Sequence, residues 1–404
     1  MLAPNYSERF LQQMETRTRR RLANWNTAVE NNKMSLDDLI KRIGPMLIAI
    51  SKLFRPLLNT LREEDLRRLA VVTGFLVGSL ERHFQFQGNP PGTTWKFVPT
   101  AEAFISQLAK ELQLPAAMSV YAYWLDNHSE LSFTGDQGEI DFGKVVRVWN
   151  TNCDAATSTI RPICEGKMNI MDQDARHTIS TAKGMIEEIS SAYEVLRKQP
   201  DGSYGLTPTS FDRMRNYLAP WKVYGQIITG PNAANLRSQW SLDLLALSMD
   251  GYTELISDRM EFLTPADQGL VNRDMILPSL VDCFLEPLSL SRQSVTEIST
   301  ELIARKMTKT PQGYLETLVE YRKFYQAIVT LSAKHWQTIQ FILVKPFQGL
   351  TEEQLKKLPV PPTKSVGGAT HDRPLKIFRM RQKDPLVLKL LKALKIVEGL
   401  LKAV

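Results

Sequence analysis

The sequence GYLETLVEYRKFYQAIVTLSAKHWQTIQFILVK, residues 313–345, decides the fold class. Its apolar residues recur at intervals of three and four, which is the period of a long α-helix. Leu331 and Ile339 lie on one face of that helix, and His335 lies midway between them on the same face. Because a core position normally holds an apolar side chain, His335 is either a satisfied core histidine or a ligand.

Three further stretches show the same helical period, and alternating strand patterns are almost absent. They are REEDLRRLAVVTGFLVGSLERHF (62–84), TAEAFISQLAKELQL (100–114) and DARHTISTAKGMIEEISSAYEVLRKQ (174–199). The sequence therefore predicts an all-α fold in which any β-structure is minor. The loop SFTGDQGEIDFG (132–143) marks a boundary between a smaller N-terminal helical domain, residues 1–135, and a large helical domain, residues 136–404.

Composition excludes several classes of protein. The 404 residues carry a formal net charge of +7, but the basic residues form no recognisable nucleic-acid-binding motif, so no nucleic-acid partner is expected. Three cysteines without paired metal or CxxC spacing predict a reducing, cytoplasmic location. The N-terminal residues lack the apolar stretch of a secretory signal, and no segment is long and apolar enough to span a membrane.

The C-terminal stretch PLVLKLLKALKIVEGLLKAV (385–404) is strongly apolar but is interrupted by lysines at helical spacing. Such a helix either docks on the body of the protein or lies on a membrane surface. The oligomeric state is not indicated by any sequence feature.

Motifs of common enzyme classes are missing, since the sequence has no HExxH, P-loop, GxSxG or GxGxxG. Five histidines remain, and only His335 lies on a strongly apolar helix face. A single neutral imidazole that projects from a helix into an apolar space is how many all-α proteins hold a haem iron. Taken alone, the position of His335 leaves both the core and the ligand alternatives open.

Four segments in this order resemble the indoleamine 2,3-dioxygenase family, of the haem dioxygenase superfamily. They are ELQLPAAMSVYAYWLDNHS (111–129), SFDRMRNYLAPWK (210–222), SLDLLALS (241–248) and IVTLSAKHWQTIQFILVKPFQ (328–348). A Gly-Gly pair whose second glycine lies 33 residues after His335 also matches. The stretch GFLVGSLERH (74–83) is similar to a related branch, the pyrrolnitrin-pathway enzyme PrnB.

The resemblance implies a b-type haem in the large helical domain, with His335 as the proximal iron ligand. Asp243 matches an acidic residue on the proximal side, where a carboxylate orients the imidazole or raises its donor strength. Its structural alternative is a charge on the helix surface. The arginine that the family has nearby corresponds to Ser332 here, so the family's proximal ion pair is expected to be altered.

On the distal side, the resemblance implies that Arg215 binds a substrate carboxylate, a role that suits the fork of a guanidinium. Phe211 and Tyr121 match aromatic residues that line the indole pocket, and Ser210 stands where the family has another aromatic. The structural alternatives are a surface salt bridge for Arg215 and core packing for Tyr121.

Two departures from the family indicate a reshaped pocket. Trp149 aligns where the family commonly has a small hydroxyl residue above the haem. The family's GTGG loop, which contacts substrate and haem propionate, reads SVGG in this chain, and its residues are Ser365, Val366, Gly367 and Gly368.

Three functions are consistent with these residues. The first is a haem-dependent dioxygenase that inserts O2 into the indole 2,3-bond of tryptophan or a related indole, giving an N-formylkynurenine-type product. The second is a PrnB-like haem enzyme that remodels or oxidises a modified aromatic amino acid in specialised metabolism. The third is a non-enzymatic haem O2 carrier, which the presence of Arg215 disfavours because a carrier needs no carboxylate clamp.

Overall fold

A computed structural model shows the fold of the chain. It describes residues 4–114, 119, 121–197, 199–218, 221–224, 226–228, 236–348, 351, 353 and 372–402. The predicted loop residues Ser365, Val366, Gly367 and Gly368 lie outside the described residues. The structure is helical almost throughout, which confirms the all-α prediction.

The N-terminal part consists of four helices, α1 (Pro4–Glu30), α2 (Leu36–Phe54), α3 (Glu63–Phe86) and α4 (Pro99–Glu111). Short 3-10 turns at Arg55–Thr60 and Thr93–Lys96 connect them, and a π-helical turn at Tyr121–Leu125 follows.

The rest of the described chain holds the remaining helices and one small hairpin. The helices are α5 (Gln137–Cys164), α6 (Gln173–Ala192), α7 (Pro208–Tyr217), α8 (Arg237–Ala246), α9 (Tyr252–Ser257), α10 (Pro265–Ile276), α11 (Leu280–Leu285), α12 (Arg292–Glu297), α13 (Thr300–Met307), α14 (Gln312–Ile339), α15 (Asp372–Gln382) and α16 (Pro385–Lys402). Two antiparallel strands, β1 (Trp221–Val223) and β2 (Gln226–Ile228), form the hairpin, with Trp221 opposite Ile228.

Helix α14 lies at the centre of the larger part of the molecule. It packs along α6, which packs in turn on α5, and α5 also packs along α8. Helices α15 and α16 cover α14 from another side. The buried face of α14 carries Ile328, Leu331 and Ser332, and a π-helical turn at Gln340–Val344 continues it. The residue at the centre of that face, His335, is thereby placed among several helices.

The predicted domain division at residues 135 and 136 stays a prediction. Helices α1 to α4 pack mainly on one another, and α5 begins just after the predicted boundary, with Asp136 as the preceding residue. However, α3 also contacts α7, and the buried apolar side chains form one continuous cluster through both parts.

The loop at this boundary is fastened by one buried carboxylate, that of Glu139. Its Oε1 accepts hydrogen bonds from the Tyr123 hydroxyl at 2.7 Å and the Phe133 N–H at 2.9 Å. Its Oε2 accepts bonds from the Ser132 hydroxyl at 2.6 Å and from the N–H and hydroxyl of Thr134 at 2.9 and 2.6 Å. A buried charge becomes tolerable only when it is hydrogen-bonded in this way.

The PrnB-like stretch 74–83 forms the most buried part of α3. Its His83 is 4% exposed, and its Nε2 shares a hydrogen bond with Asn26 Oδ1 at 3.2 Å. Burial lowers the pKa of His83 to about 3, and the neighbouring Arg82 charge acts in the same direction. His83 is therefore a neutral core histidine, although the charged sequence around it does not suggest burial.

The low pKa of His83 predicts a loss of stability in mild acid. Below pH 6.5 His83 binds a proton in the unfolded chain, whereas in the folded protein it stays neutral down to about pH 3. The free energy of unfolding should therefore fall as pH is lowered through this window, and His83 contributes up to about 1.4 kcal/mol per pH unit to the slope. Urea unfolding at pH 7, 6 and 5 measures the slope. His83→Gln should reduce the slope without abolishing it, because burial also lowers the pKa of His335, to about 4. A variant of the exposed His177, His177→Gln, should retain the wild-type slope; equal slopes in all three proteins contradict the assignment.

Helix α16 buries its apolar face against α12, α13 and α14, with Val387, Leu390 and Ala393 fully enclosed. Of the two alternatives for this stretch, docking on the body is the one that the structure shows. Among the described helices, none is long and apolar enough to cross a membrane.

Candidate functional site

His335 lies deep in the large part of the molecule, on the last turn of α14 before the π-helical turn. The indole of Trp149, from α5, meets the imidazole edge-on, with ring centroids 5.4 Å apart. The ring of Tyr193, from the 3-10 turn that ends α6, approaches it from a third element, with centroids 6.1 Å apart. The sequence thus places a polar ring where three helical elements meet.

The imidazole makes no hydrogen bond with any residue that the structure describes. Burial lowers the pKa of His335 to about 4, and the charge of Arg381 acts in the same direction. The residue nevertheless retains partial exposure. A core histidine normally has a partner, as His83 has, because an unpaired buried polar group costs about 1–3 kcal/mol. Haem iron requires a proximal ligand that is neutral and has a nitrogen free of other hydrogen bonds, so His335 fits a haem.

Trp149 is held in place by a residue that the sequence did not single out, Gln239 of α8. The indole Nε1–H donates to the Gln239 side-chain oxygen at 2.6 Å, and the Cys153 thiol donates weakly to the same oxygen at 3.6 Å. Trp149 therefore lies directly beside the imidazole of His335. Its predicted contact with a substrate stays a prediction.

Asp243, on α8, is almost completely buried and forms a bidentate ion pair with Arg381 of α15. Arg381 Nε donates to Oδ1 at 2.9 Å and Nη2 donates to Oδ2 at 2.5 Å. The Tyr252 hydroxyl donates to the same Oδ2 at 2.6 Å. Burial acts to lower the pKa of Arg381, but the Asp243 carboxylate raises it above the usual value. Asp243 is therefore no charge on the helix surface.

The remaining nitrogen of the Arg381 guanidinium, Nη1, contacts α14, the helix that carries His335. Nη1 donates to the Ser332 hydroxyl at 2.9 Å, and Ser332 precedes His335 by three residues, about one helical turn. Ser332, which the resemblance aligns with an arginine, thus receives a guanidinium from another helix. A buried ion pair at this position is present, with Arg381 as its cation.

Arg215 lies near the end of α7 and is 3% exposed. Its Nη1 is 3.8 Å from Asp212 Oδ1, one helical turn earlier. Burial lowers the pKa of Arg215 to about 10, and the Asp212 charge opposes this effect. The guanidinium is thus still protonated at neutral pH and is buried, unlike the cation of a surface salt bridge.

The other two predicted pocket residues of α7 lie at its start. Phe211 is partly buried and meets Phe142 of α5 edge-on, with centroids 5.9 Å apart. The backbone N–H of Ser210 donates to Thr207, which caps the helix. Helix α7 packs against the π-helical turn 340–344 that follows His335, and the pocket roles of Phe211 and Ser210 stay predictions.

Tyr121 is fixed by polar contacts to another element. Its hydroxyl donates to Asp267 Oδ2 of α10 at 2.5 Å and accepts from the Thr264 N–H at 3.3 Å. Burial and the Asp267 charge raise the pKa of Tyr121 above its usual value. Its hydroxyl therefore ties the N-terminal part to α10, and its role in the indole pocket stays a prediction.

The structure thus brings Trp149 to His335, and links Asp243 to the helix of His335 through Arg381. Sequence patterns did not single out Gln239, Tyr252 or Arg381. Gln239 precedes Asp243 by four residues and could have been found as its neighbour on the same helix face. Arg381 is separated from Asp243 by 138 residues, and no local pattern signals that contact.

Residues 156–319 match the family model described as monodechloroaminopyrrolnitrin synthase PrnB. This is about two-fifths of the chain, and it includes Arg215 and Asp243 but ends before His335. No curated protein matches the chain. The chain is therefore similar to the PrnB family over this part, in agreement with the PrnB-like feature of its sequence, while its resemblance to the indoleamine 2,3-dioxygenase family stays a prediction.

Proposed function

We propose that the protein is a haem-dependent oxygenase that acts on an aromatic amino acid with an indole or indole-derived ring. The observation that carries the proposal is the imidazole of His335, which is deeply placed, neutral and without a hydrogen-bond partner in the described structure. The match to the PrnB model supports the same class of enzyme.

His335 would hold the iron of a b-type haem, and the haem would supply the chemistry of O2 activation. Trp149 and Tyr193, which also contact each other, limit the orientation of the imidazole by packing against it. The ion pair of Asp243 and Arg381 fixes the turn of α14 that precedes His335, through the hydrogen bond from Arg381 to Ser332. Exclusion of water from the site would strengthen the polar contacts inside it.

The substrate would be oriented by the residues of α7. A buried guanidinium recognises a carboxylate strongly, because the fold has already removed most of the water that would compete for the guanidinium. Arg215 would bind the carboxylate of the amino acid, and Phe211, one turn away, would contact its ring. Tyr121, Ser210 and Trp149 stay predicted contributors to the pocket, together with the loop residues 365–368.

Two reactions are compatible with this arrangement. The first is insertion of O2 into the indole 2,3-bond of tryptophan, with an N-formylkynurenine-type product. The second is a PrnB-like remodelling or oxidation of a modified aromatic amino acid, which the match to the PrnB model over residues 156–319 favours.

Expression with haem supplementation and an absorption spectrum test the proposal first. The expected result is a Soret band that co-purifies with the protein, and its absence after supplementation overturns the haem assignment. The protein is then given L-tryptophan, a reductant and O2, and the products are analysed by mass. N-formylkynurenine supports the first reaction. A spectral shift with a halogenated or otherwise modified tryptophan, without turnover of tryptophan itself, supports the second, and reversible O2 binding without turnover of any aromatic identifies a carrier.

Arg215→Gln should weaken binding of an amino-acid substrate selectively. Loss of a buried charge partner costs about 2 kcal/mol or more, which is roughly thirtyfold in Kd. Spectral titration of the haem-loaded protein measures Kd for L-tryptophan and for tryptamine, which lacks the carboxylate. We expect the tryptophan Kd to rise and the tryptamine Kd to stay within about twofold of the wild-type value. An equal change for both ligands indicates that Arg215 acts on the structure rather than on the carboxylate.

A further inference from the structure

The guanidinium of Arg381 lies between a carboxylate and the helix that carries His335. Its Nε and Nη2 face Asp243 on α8, and its Nη1 faces the Ser332 hydroxyl on α14. A planar guanidinium that uses opposite edges in this way separates its two partners. The guanidinium therefore lies between the Asp243 carboxylate and the Ser332 hydroxyl.

Both oxygens of that carboxylate are also occupied. Oδ1 accepts from Arg381, and Oδ2 accepts from Arg381 and from the Tyr252 hydroxyl. Asp243 consequently makes no hydrogen bond to the imidazole among the described residues. A direct hydrogen bond between a carboxylate and the imidazole would raise the donor strength of the ring. Here a buried cation, bound one helical turn before His335, takes the place of that bond.

The electrostatic effects on neighbouring groups agree with this order. The pKa of Cys153 is raised by burial and next by Asp243, whereas Arg381 opposes the shift, so Cys153 experiences the negative end of the pair. The turn of α14 before His335 receives the guanidinium, which is the positive end.

We propose that Arg381 is a positioning residue for His335 whose fixed positive charge favours the reduced state of a metal held by that imidazole. This inference rests on the proposed haem site. A cation beside the ligand stabilises ferrous over ferric iron, because the ferrous centre carries one positive charge less. Arg381 is buried and hydrogen-bonded to Asp243 and Ser332, so its charge is weakly screened by solvent and is held in place.

A purely structural role for Arg381 makes a different prediction. If the ion pair only fastens α15 to α8 and α14, its removal lowers the melting temperature without a directed change in midpoint potential. The potential of the bound haem therefore separates the two roles. It is measured by spectroelectrochemical titration of the haem-loaded protein with dithionite and ferricyanide.

Arg381→Met, which removes the charge, should shift the midpoint potential to a more negative value. The ferric-to-ferrous ratio at any fixed potential should rise by about threefold or more, while Arg381→Lys should lie near the wild type. Arg322→Met removes an arginine of α14 that is paired with Glu398 of α16 at 2.8 Å and is partly exposed, and it serves as the matched control. An unchanged potential in haem-loaded Arg381→Met, or an equal shift in Arg381→Lys, overturns the inference.

A second variant covers the case in which Arg381→Met does not fold. Asp243→Asn keeps an acceptor for the guanidinium but removes the opposing negative charge, so the potential should shift to a more positive value. A shift in the negative direction, or none, contradicts the inference. A wild-type protein without a Soret band is a separate outcome, since it overturns the proposed haem site itself.

Discussion

A His335→Ala variant is expected to fold normally and to lose its haem absorption band. The imidazole makes no hydrogen bond within the described structure, so its removal breaks only ring contacts with Trp149 and Tyr193. The iron, in contrast, loses its proposed protein ligand. Haem affinity should fall by roughly a hundredfold or more, since changes around a metal ligand alone cost 10–100-fold. Absorbance titration with haemin measures the affinity, and circular dichroism verifies the fold.

Chemical rescue makes this experiment specific. In His335→Gly, added free imidazole should occupy the vacated position and restore the band, whereas it should have no such effect in the wild type. His177→Ala removes an exposed histidine from the helix that packs on α14 and should bind haem like the wild type. An unchanged band in folded His335→Ala shows that the iron is held elsewhere.

Glu139→Ala is expected to be among the most destabilising single substitutions in the chain. It leaves two backbone N–H groups and two hydroxyls of the buried residues 132–134, and the Tyr123 hydroxyl, without their acceptor. Each buried donor left unsatisfied costs about 1–3 kcal/mol, although hydroxyls can rotate to other partners. We therefore expect a loss of about 4 kcal/mol or more in the free energy of unfolding, measured as a lower urea midpoint with an unchanged m-value.

Two further variants identify the cause of that loss. Glu139→Gln keeps one acceptor oxygen and should lose less stability than Glu139→Ala. Asp141→Ala removes a carboxylate from the same helix that accepts a bond from the exposed Gln137, and it should change stability by about 0.5 kcal/mol or less. Equal effects of Glu139→Ala and Asp141→Ala rule out a special role for the loop carboxylate.

Helices could be predicted from the sequence because their apolar period is a local property. The pattern over 313–345 corresponds to α14 (Gln312–Ile339) and its π-helical continuation, and the pattern over 174–199 corresponds to α6 followed by a 3-10 turn. The ends differ by a few residues, since the final turns change their hydrogen-bond pattern without a change in hydrophobic period.

The candidate site could be predicted only in part. The position of His335 follows from one helix, and the family resemblance adds Asp243 and Arg215. The identity of the cation beside Asp243 could not be predicted, because Arg381 reaches it across 138 residues of chain. The burial of His83 could not be predicted for a similar reason, since its hydrogen-bond partner Asn26 lies on a different helix.

The large sequence separation between Arg381 and Asp243 has a consequence for folding during synthesis. While a ribosome is still synthesising residues before 381, Asp243 and Ser332 already exist but their common partner does not. A nascent chain at that stage would contain a buried carboxylate without a counter-ion, so the helices around His335 should dock late. Such a contact, distant in sequence, also slows folding by its loop-closure entropy. Incorporation of a prosthetic group at His335 should accordingly be a post-translational event.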